Sequence, residues 1–209
     1  MAHTRFVYFD GFGRGEVTRL ILKHLGQEFE DFRHTFESWG KEKASGVAEF
    51  GQLPMLQIDG HNLVQSRAIE KYLLRRAGLL SHDLFELYQD ESLVGYLDDI
   101  GNIIAKFVFV DKDFEGLAKF NQEQLPEKLR ILERRLNPSN NHSVGNSISH
   151  ADFVLFQFVH DYFLRPQKAA TMRPLLEASA PRLIQFAENF KNASHNLSAY
   201  LATRVETQF

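Results

Sequence analysis

The segment from Arg5 to Gly15, RFVYFDGFGRG, combines residues that can bind an anion with a turn that glycine permits. Tyr8 offers a phenol hydroxyl, Arg14 offers a guanidinium, and glycine takes every second position from 11 to 15. A hydroxyl that donates to a charged group, beside a positive charge, favours the anionic form of that group. The more ordinary interpretation makes Tyr8 a buried strand tyrosine with a satisfied hydroxyl and Arg14 a solvent-facing charge.

A strand followed by glycines and a helix is also the arrangement of a dinucleotide-binding turn. That motif requires G-x-G-x-x-G, whereas Glu16 stands here where the last glycine should be. The Glu16 carboxylate would lie beside the negatively charged pyrophosphate. The rest of the chain also lacks the alternating strands and helices of a doubly wound α/β fold. A phosphate-binding P-loop is excluded as well, because no G-K-[ST] sequence follows the glycines.

The composition excludes several other kinds of site. The chain contains no cysteine, so it has no disulfide, thiolate metal site or cysteine nucleophile of its own. Its nine histidines show no HExxH motif or ligand spacing, so we expect no metal. A net charge of -3 favours neither nucleic acid nor anionic lipid as a partner. Without a signal-like N-terminus or a membrane-length apolar run, we expect a cytoplasmic protein.

The elements that must position Tyr8 and Arg14 follow a β-α-β-loop-β-β-α pattern up to about residue 78. Residues 5–9 read as a strand, and the apolar spacing from 14 to 26 predicts a helix that Gly26 ends. Residues 28–33 form a weak strand or loop, and residues 34–52 look irregular. A strand at 55–58 turns back through Asp59-Gly60, a hairpin signal, and Ser66 can cap a helix that ends near Gly78.

After residue 81 every periodic segment is helical. Residues 84–110 and 117–136 each predict one amphipathic helix. Ser149 and Asp152 fit a capping box before a very apolar helix, and Pro181 fits the first turn of another. We therefore predict two domains, an α/β domain over residues 1–78 and an all-helical domain over residues 83–209.

Four segments in order carry a family resemblance: VYFDGFGRGE, Gly51-Gln52-Leu53-Pro54, QSRAIEKYL at 65–73, and Ser149-His150-Ala151-Asp152. Together they resemble the cytosolic glutathione S-transferases of the tyrosine type, closest to the sigma class. The resemblance implies a thioredoxin-like N-terminal domain that binds glutathione. It also implies a C-terminal helical bundle that lines one side of a pocket for an apolar electrophile.

In such an enzyme Tyr8 would donate a hydrogen bond to the glutathione thiolate. A free thiol has a pKa of about 8.5, so only a few per cent is thiolate at neutral pH. A hydrogen bond to a charged group contributes about 1.5–3 kcal/mol, which lowers the thiol pKa by roughly 1–2 units. Arg14, at the start of the first helix, would deepen the positive potential near the sulfur. Phe12 replaces the first arginine of the family's R-G-R pattern, a departure that would widen the apolar side of the site at the cost of some positive potential.

The resemblance also assigns the residues that hold the glutathione tripeptide. Trp39 and Lys43 match the sigma pattern W-x-x-x-K and would meet the glycyl carboxylate, although Trp39 is as readily a packed loop anchor. Gln52 and Leu53 follow, and the Leu53 backbone would pair with the cysteinyl segment like an added strand. Pro54 is expected in the cis form, turning the Leu53 amide and carbonyl outward. Two further residues would hold the γ-glutamyl carboxylate, namely Gln65 and Ser66.

Two parts of the implied site depart from the family or are harder to assign. In the family, an acid of the partner chain often reaches the γ-glutamyl amine. This acid is the middle one of three at positions i, i+4 and i+8. Here Glu91 and Asp99 occupy the first and last of these positions, but Gly95 occupies the middle one. Asp98 or Asp99 could substitute, and a homodimer is still expected. For most of the candidate electrophile-pocket residues, core packing is the alternative. The candidates are Phe9, Phe12, Tyr96, Phe107 and Phe209.

The expected function is addition of glutathione to apolar electrophiles, a detoxification reaction. A glutathione-dependent prostaglandin-type isomerase would use the same thiolate, so the sequence leaves the two activities open. The alternative of a different class is a non-enzymatic relative, either a crystallin-like structural protein or a carrier of apolar ligands. The retained residues argue against that alternative, since a purely structural role would not require them. They are Tyr8, Lys43, Gln52, Gln65 and Ser66, whereas Phe12 and Gly95 depart from the family pattern.

Overall fold

A four-stranded sheet organises the first unit of the chain, whose computed structural model describes residues 4–207. Its strands lie in the order β2-β1-β3-β4. β1 pairs in parallel with β2 and antiparallel with β3, which is antiparallel to β4. The strand bounds are β1 Arg5–Phe9, β2 Glu30–His34, β3 Met55–Ile58 and β4 His61–Val64.

Four helices belong to the same unit: α1 Glu16–His24, α2 Phe36–Lys43, α3 Ser66–Arg76 and α10 His195–Thr203. α1 follows a 3₁₀ turn at Gly13–Gly15 and buries its apolar face. The expectation of irregular structure over residues 34–52 was wrong for α2. Thr35 and Ser38 form a capping box there, each accepting a hydrogen bond from the other's backbone N–H.

The turn chemistry of the first unit follows the sequence prediction. The strands at residues 5–9 and 55–58 are confirmed, and Asp59 and Gly60 both have positive φ between β3 and β4. Gly26, with φ of 63°, ends the first helix in the left-handed region as expected. One detail differs, because Ser66 is the first residue of α3 and Gln65 stands in the capping position without a side-chain cap bond.

The second unit spans Ser81 to Phe190 and is helical. Its helices are α4 Leu84–Ala105, α5 Phe114–Glu123, α6 Leu125–Arg135, α7 His150–Val159, α8 Pro166–Ser179 and α9 Pro181–Lys191, whose last residue falls in the first unit. π-helical segments at Lys106–Asp111 and His160–Leu164 extend α4 and α7. The single helix predicted over 117–136 is instead two helices that meet at Gln124, because Pro126 suits the first turn of α6.

The division into domains over residues 1–78 and 83–209 stays a prediction. Among the described residues, positions 4–80 and 191–207 form the first compact unit, which includes α10. The reason is that α10 packs against α1, where the Tyr200 hydroxyl and the Arg204 guanidinium both reach Glu16. A four-stranded thioredoxin-like domain and an all-helical domain are otherwise as predicted. Over residues 4–207, no helix is long and apolar enough to cross a membrane.

Candidate active site

A cavity of about 270 Å³ opens at the end of the sheet in the first unit. It brings together side chains from β1, the turn before α1, α2, the loop before β3, and the start of α3. The residues that line it are Phe9, Arg14, Trp39, Lys43, Gly51, Gln52, Leu53, Pro54, Gln65 and Ser66. Every residue predicted to bind glutathione lines this cavity except Tyr8, which accepts a hydrogen bond from the backbone N–H of Arg14.

Tyr8 contacts the turn that holds Arg14 through a defined hydrogen bond. The backbone N–H of Arg14 donates to the Tyr8 Oη at 3.1 Å. Burial raises the pKa of the Tyr8 phenol above its ordinary value, while that backbone N–H and the charges of Arg19 and Arg14 oppose the rise. Tyr8 is therefore a neutral phenol at neutral pH. Since its Oη accepts a hydrogen bond from Arg14, its own hydrogen can be donated to another acceptor.

The turn passes so close to Tyr8 that only glycine fits at Gly13 and at Gly15. A Cβ on Gly13 would lie 2.8 Å from the Tyr8 Oη, and Gly13 has a φ of 38°. Both the approach and the backbone angle thus require a residue without a side chain. The glycines of the opening motif therefore allow the backbone to deliver the Arg14 N–H to the phenol.

Trp39 and Lys43 form one end of the cavity on α2. Trp39 is buried in a small apolar cluster with Val7 and Met55, and it also lines the cavity. Trp39 is therefore a packed anchor, on a helix instead of the expected loop, and its binding role stays a prediction. The Lys43 stem lies against Gly51, where a Cβ would be 3.1 Å from Lys43 Cε. The exposed ammonium of Lys43 gives this end of the cavity a positive charge.

The opposite end of the cavity is built from amides and a helix start. Gln65 Nε2 donates to Gln52 Oε1 at 3.1 Å, which links the loop before β3 to the residue before α3. Gln65 has a φ of 72°, unusual for a residue with a side chain. Ser66 follows as the first residue of α3, where unpaired backbone N–H groups favour an anion. The Leu53-Pro54 peptide bond between the two ends is cis, as predicted.

An aromatic row borders the cavity beside Tyr8. The ring centroids of Tyr8 and Phe9 are 5.5 Å apart, and those of Phe9 and Phe36 are 4.9 Å apart. Phe9, predicted as an electrophile-pocket residue, lines the cavity. Phe36 is 71% exposed, so its ring offers open apolar surface next to Phe9. Phe36 was not among the predicted residues because α2 was not predicted, and the available signal was the Thr35 and Ser38 capping pair around it.

The remaining electrophile-pocket candidates do not line this cavity. Phe12 was predicted to widen the apolar side of the site, but its ring is buried under the Arg204 guanidinium, 3.9 Å from the ring centroid. Tyr96 belongs to the second unit, where its ring lies 5.7 Å from the Lys128 ammonium. Phe107 packs in the second unit near Phe120. Phe209 lies outside the described residues.

A buried ionic cluster behind the turn was not found from the sequence. Arg19, with no exposed surface, donates to the Gly11 carbonyl at 2.7 Å, to Glu16 at 3.2 Å and to Asp31 at 3.0 Å. A buried charge of this kind requires paired, hydrogen-bonded partners. The available signal was the acid and base at i and i+3 on the first helix, which also describes an ordinary exposed pair.

The described part of the chain shows no group of three or more His, Cys, Asp or Glu residues that could hold a metal ion. The donors around the cavity are instead a lysine, an arginine, side-chain amides and backbone N–H groups. Such groups suit the carboxylates and amides of a small peptide.

Comparisons with known proteins agree with this geometry. A family profile described as the N-terminal domain of glutathione S-transferase matches residues 5–75, and one described as the C-terminal domain matches residues 98–204. The chain is 32% identical, over all of both chains, to a Caenorhabditis elegans protein named probable glutathione S-transferase 7.

Two solved structures share the fold over nearly the whole chain. Monomeric Na-GST-3, a glutathione S-transferase from the hookworm Necator americanus, is 30% identical with a TM-score of 0.82, over 99% of this chain and 100% of that one. Rat hPGDS complexed with a quinoline is 27% identical with a TM-score of 0.80, over 99% and 100% of the two chains. With both profiles and full-length relatives in agreement, the chain belongs to the glutathione S-transferase family of enzymes.

Proposed function

We propose that the protein is a tyrosine-type glutathione transferase, closest to the sigma class, that ionises the glutathione thiol for attack on apolar electrophiles. The observation that carries the proposal is one cavity lined by Arg14, Trp39, Lys43, Gln52 and Ser66, together with the hydrogen bond from the Arg14 N–H to the Tyr8 phenol. A detoxifying role in the cytoplasm follows from this activity as part of the proposal.

Tyr8 would act as a hydrogen-bond donor and not as a base. Because burial raises the pKa of Tyr8, the phenol keeps its proton at neutral pH. A donated hydrogen bond stabilises only the thiolate, and about 1.5–3 kcal/mol corresponds to a thiol pKa roughly 1–2 units lower. Arg14 would add positive potential near the sulfur from within the 3₁₀ turn that leads into α1.

The tripeptide would lie along the cavity with its two carboxylates at opposite ends. Lys43 and Trp39 would meet the glycyl carboxylate, while Ser66 and Gln65 would meet the γ-glutamyl group. The Leu53 backbone would pair with the cysteinyl segment between them. This orientation places the thiol beside Tyr8 and the aromatic row of Phe9 and Phe36.

A homodimer is also part of the proposal, with an acid of the partner chain completing the γ-glutamyl end. Asp98 and Asp99 lie on α4 where Gly95 interrupts the usual acid pattern, and Gly95 has open space around it. The first acid of that pattern, Glu91, lies on the same helix.

A second candidate activity is isomerisation of a prostaglandin-type endoperoxide with glutathione as a true cofactor. The similarity to rat hPGDS, a prostaglandin D synthase, favours this candidate over other glutathione chemistries. Both activities start from the same thiolate. They differ in outcome, because conjugation consumes glutathione in proportion to product and isomerisation does not.

The test compares wild type with Tyr8→Phe, using Tyr72→Phe on α3 as the matched control. Thiolate absorbance of bound glutathione is followed against pH, alongside conjugation to a generic aryl halide. We expect a depressed thiol pKa in wild type and Tyr72→Phe, and in Tyr8→Phe a pKa higher by roughly 1–2 units with a slower reaction. Binding of glutathione by wild type with no depressed pKa and no reaction would contradict the mechanism.

A further inference from the structure

The Glu16 carboxylate at the start of α1 is fully buried and is held largely by the C-terminal segment of the chain. Its Oε1 accepts from Arg204 Nη1 at 2.8 Å and from the Tyr200 Oη at 2.9 Å, and its Oε2 accepts from Arg19 Nη1 at 3.2 Å. The Tyr200 and Arg204 contacts span 184 and 188 positions of sequence. A buried carboxylate keeps its charge only with such partners, so these contacts determine where the residue can lie.

Arg204 also holds the other end of the same turn. Its guanidinium lies 3.9 Å from the Phe12 ring centroid, and the Arg204 side chain is only 2% exposed. A guanidinium over an aromatic face is attracted by the ring, more strongly when water is excluded. One side chain from the end of α10 thus contacts both Phe12 and Glu16, four residues apart.

Phe12 and Glu16 bracket the backbone that contacts Tyr8. The Phe12 carbonyl accepts from the Gly15 N–H at 3.1 Å and the Glu16 N–H at 2.9 Å, which closes the turn. Arg14 lies inside it and donates its N–H to the Tyr8 Oη. The orientation of the phenol therefore depends on a turn that Arg204 anchors at both ends.

We propose that Arg204, supported by Tyr200, is a positioning residue for Tyr8: the C-terminal segment holds the Phe12–Glu16 turn so that the phenol hydrogen points at the glutathione sulfur. The inference rests on the proposed function. Hydrogen bonds weaken steeply with distance and misalignment, so a small displacement of the turn reduces thiolate stabilisation while the cavity still binds glutathione.

The test measures the thiol pKa of bound glutathione in variants of this cluster. Arg204→Gln removes the charge and the ion pair, and Tyr200→Phe removes one donor to Glu16 while keeping the ring. Arg204→Lys keeps the charge without the planar fork that contacts Phe12 and Glu16 together. Leu74→Ala, a buried position on α3 outside the cluster, is the control for a general loss of stability. Thermal midpoints are recorded for every variant.

We expect Arg204→Gln to bind glutathione and to raise its thiol pKa by about one unit, with kcat/KM about ten-fold lower below that pKa. Arg204→Lys should fall between this variant and wild type. Tyr200→Phe should show a smaller rise of the same sign, and it remains informative if Arg204→Gln does not fold. Leu74→Ala should lower the thermal midpoint and leave the thiol pKa unchanged.

The inference is overturned if the folded Arg204 and Tyr200 variants keep the wild-type thiol pKa, or if Leu74→Ala raises that pKa equally. Failure of the proposed function looks different, because wild type itself would then show no depressed thiol pKa. The two failures are therefore separated by the wild-type titration alone.

Discussion

Tyr8 owes its proposed chemistry to one hydrogen bond that it accepts and one that it can donate. The Arg14 N–H occupies the acceptor side of the hydroxyl, and burial keeps the phenol protonated. Neither property belongs to tyrosine as such, since an exposed tyrosine would have water at both sides. The residue becomes useful because the turn from Phe12 to Glu16 approaches its ring.

Gly13→Ala tests how closely the turn must approach Tyr8. The new Cβ would lie 2.8 Å from the Tyr8 Oη at a φ of 38°, so the turn or the phenol must move. Gly46→Ala is the matched control, since Gly46 also has positive φ, at 74°, but has nothing within 4 Å. Each change should lower the free energy of unfolding by about 1–2 kcal/mol. Only Gly13→Ala should slow conjugation and raise the thiol pKa, and equal kinetics in the two variants would contradict the close-approach argument.

Phe36→Ala tests the aromatic row as the apolar wall for the electrophile. The exposed Phe36 ring lies 4.9 Å from Phe9, and an aromatic contact contributes about 0.5–1.5 kcal/mol beyond area burial. We expect KM for a large aryl electrophile to rise roughly two- to ten-fold, while KM for glutathione stays constant. Glu37→Ala, at the next position of α2, controls for changes in the helix itself. A rise in the glutathione KM instead would place Phe36 at the tripeptide.

At the scale of elements, α7 depends on the capping box before it. The Ser149 hydroxyl accepts from the Asp152 N–H at 3.3 Å, and Asp152 accepts from the Ser149 N–H at 3.1 Å. Asp90 on α4 accepts from the Ala151 N–H at 2.8 Å, so the start of α7 is tied to a neighbouring helix as well. These bonds satisfy N–H groups that the helix itself leaves unpaired.

Ser149→Ala should lower the free energy of unfolding by about 1 kcal/mol, because the cap acceptor is lost from a buried helix start. Ser92→Ala on the exposed side of α4 is the control, since the Ser92 hydroxyl donates a hydrogen bond to the Gln89 carbonyl of the same helix. Urea unfolding of both variants measures the difference. Equal midpoints would show that Asp90 and Asp152 hold α7 without the serine.

The same element carries a pH dependence through His142. Its Nδ1 lies 3.1 Å from Asp152 Oδ2, and this hydrogen bond raises the pKa of His142 above 6.5 against the opposing effect of burial. The folded state therefore binds the proton more tightly than the unfolded state. This contribution to stability is complete below about pH 6.5 and is lost as pH rises through the folded pKa.

Urea midpoints at about pH 6 and pH 8.5 measure this contribution. His142→Gln should bring the two midpoints closer together than in wild type, with the larger loss at the lower pH. The exposed His82→Gln is the composition-matched control. An unchanged gap between the two midpoints in His142→Gln would contradict the proposed linkage.

At the scale of the whole molecule, the start of α4 exposes an apolar face that suits the proposed homodimer. Leu84, Phe85 and Tyr88 are 82%, 64% and 63% exposed, and the Phe85 and Tyr88 rings stack with centroids 5.9 Å apart. Clustered apolar surface of this kind commonly marks an interface. The related Na-GST-3 is monomeric, so membership of the family does not determine the oligomeric state.

Tyr88→Glu should shift the protein toward monomer, because a charge would have to be desolvated in the interface. Phe114→Glu, an equally exposed aromatic position on α5, is the control and should leave the mass unchanged. Sedimentation velocity over a range of concentrations measures the result. A wild-type monomer at every concentration would contradict the homodimer.

Elements with local signals could be predicted from the amino-acid sequence. Spacing and turn chemistry predicted the β1 strand, the Asp59-Gly60 hairpin, the Gly26 cap and the Ser149-Asp152 box. The family resemblance pointed to residues that line one cavity, and their role in binding glutathione stays a prediction. Each depends on neighbours within a few positions or on a motif that keeps its order. Helix α2 and the break before Pro126 show the limit, since capping and proline effects are local but weak against a competing pattern.

Contacts between residues distant in sequence could not be predicted and follow from the folded chain. Arg204 lies 188 positions from Glu16, and no periodicity or local motif connects the two. The same packing moved Phe12 from the expected pocket wall into the interior and joined α10 to the first unit. The physical reason is that burial and ion pairing are set by the folded surroundings of a group. The sequence gives the chemical type of the group, but the packing of the folded chain determines its neighbours.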